Sequence, residues 1–438
     1  MKSLTIFPNL GKRFFVGPML LLVPLAVLPP SALAQGGTLW PLITTAIASH
    51  PSVQAQQSLA AAAEAGVESA HWQFFPTPFV SLQAASASKA DLSYAGDQQV
   101  TVFGATQPLW TWGRLTAGLD KAKAQATMAA AGQAETQQQL AIRVVQNYGD
   151  WWAAYRRRCA YEQGVTQHQK LRSQVQRRVE EGQAAASDLT LAEGRLSSMQ
   201  ADLSSTRAQE RAGLARLSQL TGMPMESALL AKNPAEPWAL TLSIPVLQQQ
   251  AEDASPTLAR LRGQVQVEAA VIEEAKAKTL PEIQARVEQQ HGNFSLAETK
   301  SPLTRGFITI SSQFGAGLST LTAVAEATHR HEAALAELEA QRRNLSEQIM
   351  TDQASLMESA ERRQALQKAV ALAAQVQESW DRQYFSGRKT WQDLMNSVRE
   401  FVQTQAQLAD IDATQVVASW RLAFLTGNIS PSTKDPSP

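Results

Sequence analysis

Two patterns of apolar and polar positions divide this chain. The first is alternation. Ile283, Ala285 and Val287 take turns with Glu282, Gln284, Arg286 and Glu288, so a strand there has one apolar face and one polar face. A looser alternation through Val80, Leu82 and Ala84, then Val100 and Val102, predicts strands over 79–89 and 99–109 around a polar loop at 91–97. The second pattern is the unbroken run. Leu318 to Thr426 holds no proline, its only glycine is Gly387, and strong helix formers fill it. It predicts helices over 318–386 and 390–427, folded back at Gly387. At a rise of ~1.5 Å per residue the first would reach ~100 Å, a rod that no compact domain needs. A similar run from Arg114 breaks at Glu181-Gly182-Gln183 and predicts helices over 114–181 and 188–221. Shorter helices are expected over 49–75 and 254–280, entered at Pro51 and Pro256, where proline suits a first turn.

These landmarks recur at one offset. Pro51 and Pro256, Pro76 and Pro281, Gly182 and Gly387, Asp188-Leu189 and Asp393-Leu394, and Leu220-Thr221-Gly222 and Leu425-Thr426-Gly427 are each 205 residues apart. The chain is therefore an internal duplication, each half reading helix, strand, strand, long helix, turn, helix. The first repeat spans 35–224 and the second 254–429. A Pro- and Trp-containing connector, expected to be irregular, spans 225–253, and a Pro/Ser-rich tail spans 430–438. Within each half the two shorter helices together match the long one, so a palisade of antiparallel rods is expected, with a strand pair at one end.

Composition narrows the function. Basic and acidic residues balance at 39 each, which offers no basic surface for nucleic acid. Lys2, Lys12 and Arg13, an apolar run from Phe14 to Leu28, and Ala32-Leu33-Ala34 form a cleavable secretory signal over 1–34. Cys159 is the only cysteine, so no intrachain disulfide forms, and a buried small residue is its expected state. The six histidines are scattered, and no HExxH, CxxC or P-loop occurs. Neither an enzyme nor a cofactor or metal site is expected.

The strands point to lipid. An alternating segment of about ten residues is the signature of a transmembrane barrel strand. Four strands cannot close a barrel, so several protomers would have to share one. Trp72, Phe74, Phe75, Trp110 and Trp112 cluster where helix meets strand, as an aromatic girdle at a membrane interface would. The second half has no matching tryptophans, and an aqueous sandwich corner packed by the same aromatics is the alternative.

With these residues in view, the chain resembles the TolC-type outer-membrane efflux and secretion proteins over its whole mature length. The resemblance is carried by the duplication, by Gln107-Pro108-Leu109-Trp110-Thr111-Trp112-Gly113-Arg114, by Leu-Thr-Gly at both half ends, and by Gly-x5-Asp-Leu at both turns. It implies a mainly α protein with membrane β: four strands per protomer in a trimeric twelve-stranded barrel, and a long antiparallel α-helical barrel crossing the periplasm. It also implies a homotrimer in outer-membrane lipid, a periplasmic adaptor protein and an inner-membrane pump as partners, and passive export. Site residues follow by the same resemblance. Asp393 and Asn396 would line the tunnel's narrow mouth, with Asn396 departing from a doubly acidic ring. Arg388 and Lys389 would hold the mouth shut by pairing with acidic neighbours, and Gly182, Gln183, Gly387 and Arg388 would form the tips that meet the adaptor. A helix-starting role for Asp393 stays open beside the pore role. The segment Gly315-Ala316-Gly317-Leu318-Ser319 resembles members that export large adhesins, while drug or small-molecule efflux stays open.

Two other readings compete. A periplasmic adaptor also has a long helical hairpin, but this chain has two hairpins and a cleavable signal. A secreted coiled coil would need sustained apolar heptads and no lipid-type strands.

Overall fold

The computed structural model describes residues 39–87, 91, 93, 95–230, 243–295, 302–312, 315 and 319–429. The expected signal segment, the tail, residues 231–242 of the connector and residues 316–318 of the glycine-rich junction lie outside them.

The first repeat runs α1 (Leu39–Ser49), α2 (Pro51–Trp72), β1 (Thr77–Ala84), β2 (Gln99–Trp110), α3 (Arg114–Glu180) and α4 (Ala186–Thr221). The second runs α5 (Ile244–Ala254), α6 (Pro256–Ala277), β3 (Glu282–His291), β4 (Leu303–Ser311), α7 (Ser319–Phe385) and α8 (Trp391–Leu425). Every helix of the first repeat starts again 205 residues later, and α3 and α7 are both 67 residues long. Two helices depart from expectation. α1 was not anticipated, and α5 lies in a connector expected to be irregular. Each is only 11 residues long, too short for propensity alone to hold it, so tertiary packing supplies its stability. The apolar spacing Leu39, Trp40, Leu42, Ile43, Ala46 was the available signal for α1.

The helices form four columns. α3 and α7 are continuous, while α2 with α4, and α6 with α8, are stacked pairs. In the half nearer the strands the order is α2, α3, α6, α7, and in the half nearer the turns it is α4, α3, α8, α7. This is the expected palisade. The cores change along it. At mid-length α3 is buried broadly: Leu140, Ala141, Val144, Val145, Tyr148, Trp151 and Trp152 meet α1, Leu217 of α4, and Trp420 and Phe424 of α8. Trp40 of α1 stacks on Trp420 at 6.4 Å between ring centroids. α5 does the same at α7, where Leu247 and Ala251 pack with Leu345 and Ile349. The short helices thus plug the seams where stacked helices meet. Nearer the turns the burial narrows to a stripe through Ala160, Val165, Leu171 and Val175, the spacing of a seam between helices. Asp412 on α8 ties three columns together, pairing with Arg363 of α7 at 2.7 Å and Arg156 of α3 at 3.5 Å. Cys159 is free and half-buried, less enclosed than expected.

Candidate functional site: the strand ends and the helical tips

The four strands form one antiparallel sheet in the order β1-β2-β3-β4, leaving β1 and β4 as open edges. β1 is shorter than predicted at its far end. Register decides which side chains share a face. Ile283 sits opposite Ile310 and Ala285 opposite Ile308. Ala105 sits opposite Val287 and Phe103 opposite Val80. One face therefore carries Val80, Leu82, Phe103, Ala105, Ile283, Ala285, Val287, Ile308 and Ile310. The other carries Ser81, Gln83, Thr106, Gln284, Arg286, Glu288, Arg305 and Thr309, with Phe79 and Phe307 among them. The alternation read in β3 extends to Val80 and Leu82 of β1 and to Ile308 and Ile310 of β4, whereas Val100 and Val102 of β2 fall on the polar face with Ser81 and Gln83. On the apolar face Val80 is 68 % exposed, Ile308 75 % and Ile310 68 %. Water does not stabilise such a surface, and a contiguous apolar patch of this kind marks an interaction site.

The polar face has its own order. The Arg286 guanidinium lies 4.4 Å from the Phe79 ring centroid and pairs with Glu288 at 2.8 Å. The Phe79 ring crosses strand β2 at Gly104, where an added Cβ would meet it at 2.5 Å. Position 104 is open to glycine alone because the ring occupies the space of a side chain. The members of this group come from three strands, so no local sequence pattern marks it. At the far end the two hairpins join: the Gly96 and Asp97 N–H groups donate to the Phe294 and Asn293 carbonyls.

The predicted aromatics gather at the helical end of the sheet. Trp72 closes α2, Trp110 closes β2, and Trp112 stands just before α3. Trp72 meets Phe75 at 5.3 Å and Trp110 meets Trp112 at 5.9 Å, all four exposed. Phe74 is half-buried, and its carbonyl accepts a hydrogen bond from the Gln107 side chain. At this level an ion pair ties the two repeats together, Arg114 at the start of α3 with Glu282 at the start of β3, 2.8 Å apart.

The two turns lie at the opposite end and are built alike. Gly182 has φ 70° and Gly387 φ 72°, a left-handed conformation that costs other residues ~1–2 kcal/mol. The Gly182 and Gln183 N–H groups donate to the Val179 and Arg178 carbonyls, and those of Gly387 and Arg388 to Tyr384 and Gln383. Both helices therefore end in the same Schellman cap. Nothing lies within 4 Å of a Cβ added at either glycine, so only φ constrains them. One ring joins the tips: Arg178 of α3 lies 5.7 Å from the Tyr384 ring centroid of α7. Within the second tip Lys389 lies 4.2 Å from the Trp380 ring centroid. Sequence reading missed Trp380 and Tyr384, although aromatics one and two turns before Gly387 were the visible signal.

The remaining tip residues take specific places. Thr390 and Asp393 form a capping box at the start of α8. The Asp393 N–H donates to the Thr390 hydroxyl at 3.1 Å, and the Thr390 N–H donates to the Asp393 carboxylate at 3.3 Å. These contacts, helped by Lys389, hold the Asp393 carboxyl below its usual range. Asn396 is exposed on the next turn. Within the protomer Lys389 is engaged by Trp380, and neither Arg388 nor Lys389 pairs with an acidic residue among the described residues. Thr390→Ala is expected to destabilise the α8 start by about 1 kcal/mol, the usual worth of such a cap. Faster amide exchange at residues 391–394 would report it, and unchanged exchange would refute it.

Among the described residues no helix is long and apolar enough to cross a membrane, and no His/Cys/Asp/Glu cluster could hold a metal ion.

Comparison with known proteins bears on this arrangement. A sequence model of the family "Outer membrane efflux protein" matches residues 42–223, the first repeat. No curated protein sequence matches. Among solved structures, the outer membrane protein VceC from Vibrio cholerae superposes with a TM-score of 0.77 at 15 % identity, covering 89 % of this chain and 96 % of that one. The Campylobacter jejuni CmeC outer membrane channel gives 0.77 at 13 %, covering 90 % and 87 %. The open state of the Neisseria gonorrhoeae MtrE outer membrane channel gives 0.74 at 15 %, covering 89 % and 88 %. At such identities the likeness is one of fold.

Proposed function

We propose that the chain, whose first repeat matches the outer membrane efflux protein model, is a member of that family and an outer-membrane exit duct with a long periplasmic extension, passing cargo passively rather than by catalysis. The observation that carries this reading is the two-faced sheet. Its apolar face suits lipid and its polar face a wet lumen.

The finer reading is a homotrimer. Four strands with two open edges cannot stand alone in a bilayer, where each unpaired backbone group is costly. Three copies would close a twelve-stranded barrel and set twelve columns into a tunnel. The α7 column supports this. Leu321, Leu335, Met350, Met357 and Leu372 are all exposed, and their spacings of 14, 15, 7 and 15 residues put them on one side of the helix. α7 is an outermost column of the protomer, so a second copy is the natural cover for that stripe. Trp72, Phe74, Phe75, Trp110 and Trp112 then form the periplasm-side girdle. Three copies of Asp393 would ring the tunnel mouth beside Asn396, with the carboxyl kept ionised by its own cap. Arg388 and Lys389 would find acidic partners, if anywhere, across protomers.

A periplasmic adaptor is the natural ligand of the tips Gly182, Gln183, Gly387 and Arg388, with an inner-membrane pump behind it. Asparagine tolerates the left-handed conformation, so Gly182→Asn with Gly387→Asn keeps both turns while adding side chains to bare tips. The double variant is expected to keep its outer-membrane oligomer yet lose at least tenfold in export, measured as drug accumulation or secreted cargo. Normal export would remove the tips from the docking surface. The channel itself is tested by purifying the protein from outer membranes and recording single channels in planar bilayers. A water-soluble monomer without conductance would sink the proposal.

A further inference from the structure

About a dozen residues from both tips, a cavity opens between α3, α4 and α8 that the duct reading does not use. Its volume is about 180 Å³. His168 of α3 forms its floor, 2 % exposed, and neither ring nitrogen has a hydrogen-bond partner. A buried imidazole with both nitrogens idle is unfavourable unless something occupies the space before it. Arg195 of α4 and Arg399 of α8 stand at the rim. Neither makes an ion pair among the described residues, although their neighbours do: Arg157 pairs with Asp410, Arg158 with Glu210 and Arg172 with Glu193. Burial, and after it the positive charges of Arg195 and Arg399, lower the His168 pKa to about 4. Tyr161 of α3 and Asp202 of α4 complete the titratable groups facing the space. One carboxylate against two guanidinium groups leaves the cavity cationic.

We propose that this cavity binds one small oxyanion of the phosphate or free carboxylate class, gripped by Arg195 and Arg399, with the ring N–H of His168 as the buried third donor. Guanidinium groups present forked donors that match such anions in two-point fashion. A neutral imidazole supplies one N–H donor toward the same centre. Water could satisfy the ring but would leave the excess positive charge of the rim uncompensated. Because the donors come from three helices, an occupant pins α4 and α8 to α3 just below the tips. The site stands apart from the export reading and is testable whichever cargo passes.

The full-length protein in detergent micelles, labelled at histidine, is titrated with inorganic phosphate against chloride at matched ionic strength. His168 is assigned by its loss in His168→Gln. Phosphate is expected to move the His168 resonances saturably, to raise its apparent pKa by at least one unit, and to raise the thermal midpoint, whereas chloride does none of these. Arg195→Gln with Arg399→Gln should abolish all three responses while the oligomer keeps its gel mobility. If that pair fails to assemble, Arg399→Lys, which keeps the charge but not the fork, should weaken phosphate binding at least threefold. A His168 signal indifferent to phosphate, or a response undiminished in the variants, overturns the site.

Discussion

Ile308→Arg is expected to abolish the assembled outer-membrane oligomer, while Thr309→Arg, one residue on, is expected to leave it intact. The two positions are neighbours in β4 but project to opposite faces. Ile308 pairs with Ala285 and shares its face with Ile283, Val287 and Ile310, whereas Thr309 pairs with Gln284 on the face of Arg286 and Glu288. An arginine facing lipid near the bilayer centre costs ~2–4 kcal/mol per protomer, and a lumen-facing one costs little. Three copies multiply the first figure. The measurement is heat-modifiable gel mobility of the outer-membrane fraction. Equal tolerance at 308 and 309, or loss only at 309, would reverse the face assignment and with it the barrel.

Trp151→Ala should be the most damaging single change in the helical part, at about 3–5 kcal/mol. Trp151 has no exposed surface and sits at mid-length of the palisade, where α1, α3, α4 and α8 share one core. Its ring lies 5.4 Å from that of Tyr148 and 5.7 Å from that of Tyr155. Removing it empties the point at which the stacked helices are joined. Trp151→Phe should be far milder, because the indole N–H has no hydrogen-bond partner to lose. The volume deficit is then the main cost. Thermal unfolding of the purified oligomer separates the two substitutions. A phenylalanine variant as unstable as the alanine one would show that the indole N–H has a partner after all, and would move the weight of the core away from packing.

Much of this molecule was legible in its sequence because it depends on local signals repeated twice. Gly182 and Gly387 mark the turns since only a left-handed residue closes a Schellman cap there. Pro51 and Pro256 mark helix starts since their missing N–H costs nothing in a first turn. The 205-residue offset turned weak landmarks into an architecture, and strict alternation in β3 announced a two-faced strand. α1 and α5 were not found, because 11-residue helices exist only through the seams they plug, and a seam is a relation between columns. The same holds at the site. Asp393 was legible as an acidic residue near a turn, but its bond to Thr390, and the placement of Lys389 over Trp380, depend on how the chain closes. Phe79 with Arg286, and His168 with Arg195 and Arg399, join residues far apart along the chain. One-dimensional order fixes what each segment becomes, through backbone preference and periodicity. Which side chains meet is set by register between strands and by helices crossing at a given height, and those are properties of the folded whole.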